Sequence, residues 1–127
     1  MAQKDIGNKT PLHELKTTEQ VMKYYDEWSK NNKYNNDMLE WEYSGPKETS
    51  ETLSKYQNNK DIKIYDAGCG SGLVGIELKK YGFNYFDGAD ISKELLNQVP
   101  DNLYNKLEQI DLNKKIDKED DFYDVVM

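Results

Sequence analysis

The spacing of apolar residues divides the 127-residue chain into three stretches. Residues Met1 to Lys16 are polar, are interrupted by Pro11, and carry too few apolar side chains to offset the entropy of ordering them, so 1–16 reads as a flexible tail. At Thr17 the pattern changes. Thr17 and Gln20 have capping-box spacing, and Val21, Tyr25 and Trp28 recur on one helical face, predicting a helix from about Thr18 to Lys30 that ends at Asn31-Asn32. Met38, Leu39, Trp41 and Tyr43 follow a polar stretch, and Ser44-Gly45-Pro46 breaks the chain with a proline suited to the first turn of a new helix. That helix is expected to turn Thr49, Leu53 and Tyr56 inward and to stop at Asn58-Asn59, completing a helical leader over 17–60.

From Asp61 onward strands and helices alternate. Ile62, Ile64 and Tyr65 predict a short strand, Ala67 to Gly72 a glycine-rich turn, and Leu73 to Tyr81 a helix with Gly82 as its stop. A second strand lies within Phe83 to Ala89, Ser92 caps a helix through Leu95 and Leu96 that ends before Pro100, and Leu107 to Ile110 give a third strand. Phe122 to Met127 begin a fourth. The expected fold is therefore α/β: a Rossmann-like, doubly wound, mostly parallel sheet covered on both faces, with right-handed crossovers. Its core over 61–127 is read as truncated after the start of the fourth strand, leaving an unprotected edge that a dimer or another partner would complete. In such sheets ligands bind at the carboxyl ends of the strands. Asp66, Asp90 and Asp111 each stand at such an end, so three carboxylates are expected to converge on one crevice.

Composition narrows the function. The formal net charge is −7, and residues 61–127 hold eight Lys against fourteen acids. Arginine is absent and no lysine block replaces it, which argues against direct nucleic-acid binding and against anionic lipid. No apolar run approaches the length of a membrane span or signal-peptide core, so the expected compartment is the cytoplasm. The single Cys69 and single His13 supply no internal disulfide and no metal site.

The segment Asp66-Ala67-Gly68-Cys69-Gly70-Ser71-Gly72 sets glycine at every second position between a strand and a helix, so a ligand can approach the backbone closely. Gly70, Gly72 and Gly75, with Asp90 beyond, also satisfy the dinucleotide fingerprint, and the glycines alone do not separate the two ligand classes. Charge favours one of them. A carboxylate at Asp66 repels a pyrophosphate and suits a ligand carrying an ammonium and a sulfonium.

These residues resemble the first motif of the class I S-adenosylmethionine-dependent methyltransferases, an acid followed by alternate glycines, matched here by Asp66, Gly68, Gly70 and Gly72. Asp90 in Asp87-Gly88-Ala89-Asp90-Ile91-Ser92 is similar to the family's second-strand acid, which the resemblance makes the acceptor for both ribose hydroxyls. Asp111 in Ile110-Asp111-Leu112 is similar to the third-strand acid that accepts from the adenine amino group, with Ile91 and Leu112 against the ring; a turn cap is the alternative for Asp111. The run Tyr24-Tyr25-Asp26-Glu27-Trp28, then Tyr34, then Tyr43-Ser44-Gly45-Pro46, resembles the leader of the small methyltransferases of the Williams-Beuren syndrome region type, although Asn35 stands where that pattern has an acid. The resemblance implies that the leader packs over S-adenosylmethionine and that Tyr25, Trp28 and Tyr34 lie against the sulfonium or line the crevice; core packing is the simpler reading of each ring taken singly.

Ala67 and Cys69 complete the cofactor loop, and Cys69, with no adjacent base to activate it, reads as a small loop residue and not a nucleophile. The implied activity is methyl transfer to an unidentified acceptor, small molecule or protein. Catalytic groups in this family generally follow the fourth strand, so none is assigned. Two other readings stay open, a non-catalytic cofactor-binding or interaction module and an NAD-binding oxidoreductase fragment.

Overall fold

Thr17 caps the first helix as its spacing with Gln20 predicts: its hydroxyl accepts from the Gln20 N–H (3.1 Å), and the Gln20 side chain accepts in return from the Thr17 N–H (3.1 Å). Helix α1 runs from Thr18 to Ser29 in the structure, a computed structural model that describes residues 12–127. The tail expected over 1–16 thus lies mostly outside the described residues. Its last part is placed: Leu12–Glu14 form one 3-10 turn, and Leu15 packs against the leader's aromatic core.

Asn31 and Asn32 turn the chain in left-handed conformation (φ 56° and 59°), the freedom for which asparagine suits this position. Directly after them comes a helix that the sequence does not announce, α2, Lys33–Glu40. Trp28 donates through its indole N–H to Asp37 (2.6 Å), and Tyr24, Trp28 and Met38 bury together, so α2 is fixed by tertiary contact more than by its own pattern. Helix α3, Gly45–Tyr56, begins on Pro46 as expected, but its buried face is Pro46 and Ser50 with Leu53 half-buried. Thr49 is exposed and Tyr56 is 73% exposed, contrary to the face read from the sequence. The small Ser50 at the centre of that face lets α3 lie close on the helix it packs against.

The remaining elements follow the alternation: β1 Lys63–Ala67, α4 Leu73–Lys80, β2 Tyr85–Asp90, α5 Lys93–Asn97, β3 Lys106–Gln109 and β4 Val125–Val126. The strands form one parallel sheet in the order β3-β2-β1-β4, which matches the first four strands of the doubly wound dinucleotide-type order. Gly82 (φ 88°) stops α4, and its N–H closes on the Lys79 carbonyl (3.1 Å).

Register divides the sheet into two unlike faces. Ile64, Phe86 and Val125 share one face and pack with Leu53, Leu78 and Leu96 of α3, α4 and α5. Tyr65, Asp87 and Lys106 share the other. Among the described residues that second face is covered by the closing loop and not by a helix: Tyr123 stacks on Tyr65 (4.8 Å between centroids) and donates to Asp87 (2.6 Å), while Lys118 pairs with Glu108 (3.1 Å). The pairing of β4 is limited to β1, and Val126 is 67% exposed.

Tyr104 locks the helix-covered side. Its ring lies where a Cβ would stand on Gly75 (2.6 Å) or Gly88 (2.8 Å), and its hydroxyl donates to Asp66 (2.6 Å). Those two glycines are therefore room for one phenol. Gly88→Ala is expected to lower stability by about 1–3 kcal/mol through overpacking, read as a lower urea midpoint at unchanged slope. A variant as stable as the parent would show that the Tyr104 ring moves freely.

Candidate functional site

A cavity of about 740 Å³ opens at the carboxyl ends of β1 to β3, under α1, within the size range of ligand pockets. Gly68 and Gly70 form its floor, Asp90 and Ile91 one wall, Asp111 and Leu112 another, and Tyr25 and Tyr34 close it from the leader. These eight positions are all among the sequence-predicted site residues.

Asp90 ends β2 and holds two loops at once. One carboxylate oxygen accepts from the Gly70 N–H (2.9 Å) and the other from the Ser92 N–H (2.9 Å). A carboxylate has about four acceptor positions, so each oxygen keeps capacity toward the cavity it lines. Asp111 caps its own turn, the alternative the sequence left open, by accepting from the Asn113 N–H (2.9 Å), and its second oxygen accepts from the Thr18 hydroxyl (3.3 Å) at the cavity wall.

The glycine loop spends its donors internally. Gly68 and Cys69 N–H both donate to the Ala89 carbonyl (2.8 and 2.9 Å), Gly70 to Asp90, and Gly72 to the Cys69 carbonyl (3.0 Å). Positive φ at Gly68, Gly70 and Gly72 makes this folding possible. Four amides that a phosphate cradle would present to an anion are thus already occupied.

Five predicted site residues do not line the cavity. Asp66 shares the helix-covered face with Ile64, is 4% exposed and takes the Tyr104 hydroxyl, so two carboxylates and not three meet in the crevice. Burial raises its pKa above the usual carboxylate value against the opposing Tyr104 bond, with Asp90 adding to the rise. Ala67 ends β1 beneath the loop and Gly72 caps α4, where a Cβ would meet Val99 and Tyr104 (3.3 Å). Cys69 is buried in the core, and burial beside Asp66 and Asp90 drives its thiol pKa far upward, leaving it inert. Trp28 points to Asp37 and packs edge-on against Tyr34 (4.9 Å), inside the leader's core.

The sequence reading missed the entrance to α1. Leu15, Lys16, Thr17, Thr18 and Val21 line the cavity, as do Leu95, Ile110 and Asn113. Lys16 thus adds a basic residue to a lining read as purely acidic. Polar contacts also tie the leader to the loops: Asp26 accepts from Ser92 Oγ (2.5 Å), the Ser29 carbonyl from Gln98 (2.6 Å), and Asn35 from Ser71 Oγ (2.5 Å). Asn35, where an acid was expected, thus serves as a neutral acceptor for the glycine loop. Burial, with Tyr25, Tyr43 and Asp90 nearby, pushes the Tyr34 phenol up to about 12, and burial likewise raises Tyr25, so both rings stay neutral at physiological pH. Among the described residues no group of three or more His, Cys, Asp or Glu could hold a metal ion, and no helix is long and apolar enough to cross a membrane.

No family model matches the sequence, and no curated protein matches it. Solved structures do. The plantazolicin methyltransferase BpumL in complex with SAH is 20% identical, with 84% of this chain and 45% of that chain covered at a TM-score of 0.56. A protein from Pyrococcus horikoshii OT3 is 24% identical, with 88% and 46% covered at 0.51. Magnesium protoporphyrin IX methyltransferase from Synechocystis PCC 6803 with bound SAM is 23% identical over 63% and 42%, at 0.48. The chain spans less than half the length of these structures. At such identities the likeness is one of fold, and the sheet order with its helices is that of the class I methyltransferase fold.

The buried Asp66 makes stability pH-dependent. With its folded pKa above the unfolded value, the native state holds a proton that the unfolded chain has released, so its contribution is greatest below the unfolded pKa and declines as pH rises toward the folded one. Asp66→Asn keeps an acceptor for Tyr104 and removes the charge. It is expected to match or exceed the parent in stability at pH 7 and to lose the decline above pH 4, measured by denaturant unfolding across that range; a variant less stable than the parent throughout contradicts this.

Proposed function

We propose that the chain is the cofactor-binding part of an S-adenosylmethionine-dependent methyltransferase. The observation that carries the reading is Asp90: a carboxylate at the end of β2, tied by one amide to each of two loops, with acceptor capacity left toward a cavity that a nucleoside fits. Adjacent ribose hydroxyls are the donors one carboxylate best accommodates. Ile91 and Leu112 offer apolar contact to a purine, with Asp111 in reach of its exocyclic amine. Tyr25 and Tyr34 present neutral aromatic rings at the leader side, which favour a cation. BpumL, of similar fold, was crystallised with SAH.

When bound, the cofactor supplies an electrophilic methyl group on a sulfonium. The chain's own residues bind, orient and exclude water: the Gly68 and Gly70 backbone leaves room for close approach, and the leader closes the crevice. An oxidoreductase reading is disfavoured by the loop amides already engaged with Ala89, Asp90 and Cys69, which leave little for a pyrophosphate.

Calorimetric titration with S-adenosylhomocysteine and, separately, with NAD tests this. Binding of the first and not of the second is expected, with Asp90→Ala weakening the first by at least about tenfold through two lost charge-assisted hydrogen bonds. NAD binding without S-adenosylhomocysteine binding, or an Asp90→Ala variant of unchanged affinity, sinks the proposal.

A further inference from the structure

Both cavity carboxylates are held from α1, by different routes. Asp26 accepts from Ser92 Oγ, and the Ser92 N–H donates to Asp90, so α1 reaches the ribose-side acid through one intermediary. Thr18 donates to Asp111 directly, across 93 residues of sequence. Thr18 is the first residue of α1, and the capping box formed by Thr17 and Gln20 fixes the turn that carries it. Asp111 otherwise sits half-buried in a turn where its carbonyl accepts from the Lys114 N–H (3.0 Å), and among the described residues its side chain is held besides Thr18 by the Asn113 N–H (2.9 Å).

We infer that Thr18 is a positioning residue for base recognition: by donating to one oxygen of Asp111 it fixes the plane of that carboxylate, so that the acid discriminates a purine bearing a 6-amino donor from one bearing a 6-oxo acceptor. This rests on the proposed nucleoside ligand. A carboxylate accepts from an amine and faces a carbonyl oxygen with repulsion, and the contrast depends on the carboxylate being held toward the ring. Freed from Thr18, Asp111 rotates about its side chain within its own Asx turn and meets either base through water. The leader thus contributes selectivity at the base end in addition to covering the crevice.

The test is a titration of the full chain with S-adenosylhomocysteine and S-inosylhomocysteine. The parent is expected to prefer the adenosyl ligand by about tenfold or more. Thr18→Val removes the donor without touching the cap, and is expected to bring the two affinities within about threefold of each other, mainly by weakening the adenosyl ligand. Thr18→Ser restores the preference. Asp26→Ala serves as contrast, since removing the acceptor for Ser92 loosens the ribose side, lowers both affinities alike and leaves their ratio in place. Melting curves of all variants with the parent show that the fold is kept. A Thr18→Val variant that still prefers the adenosyl ligand tenfold overturns the inference while leaving the proposed function intact; a parent that binds neither ligand overturns both.

Discussion

The two backbone amides on Asp90 are the constraint from which the site follows. Gly70 belongs to the loop after β1 and Ser92 to the cap of α5 after β2, so a single carboxylate fastens together the two strand-to-helix turns that frame the crevice. Beneath it, Tyr104 does the same for the backbone: its ring occupies the space left by Gly75 and Gly88 and its hydroxyl holds Asp66. One acid faces the cavity and the other is sunk into the core.

The leader then reads as a wall of the site and not as an appendage. Its aromatic core buries Tyr24, Trp28 and Met38 together, with Trp28 satisfied by Asp37 and Leu73 of α4 packed alongside, while Leu53 of α3 joins the sheet's own core. It also reaches the sheet's loops by hydrogen bonds at Thr18, Asp26, Ser29 and Asn35. Individually such bonds contribute on the order of 1 kcal/mol net, so to the apolar packing they add a row of modest interactions.

Much of this was legible in the sequence where a single local rule decides. Alternate glycines between a strand and a helix, an acid at the end of β2, a capping box at Thr17 and a stop at Gly82 each have one good structural answer. What escaped depends on direction in space. Trp28 is three residues beyond Tyr25, about 60° short of a full turn, and that offset suffices to send it to Asp37 while Tyr25 faces the cavity. Asp66 shares its strand face with Ile64, so pleating aims it at Tyr104 even though it stands at a strand end. Helix α2 turns only Asp37 and Met38 fully inward and so carries almost no apolar period. The second sheet face reads as polar once register is known, with Tyr65 beside Asp87 and Asp87 beside Lys106, yet register is not written in any one strand.

Amide-resolved nuclear magnetic resonance of the free and ligand-titrated chain tests the central role of Asp90 most directly. If that carboxylate both builds the loops and receives the ligand, the Gly70 and Ser92 amides are protected from exchange in the free chain and are among those that shift most when S-adenosylhomocysteine is added. Amides at both positions that exchange freely, or that stay unmoved while the ligand binds, would contradict the account.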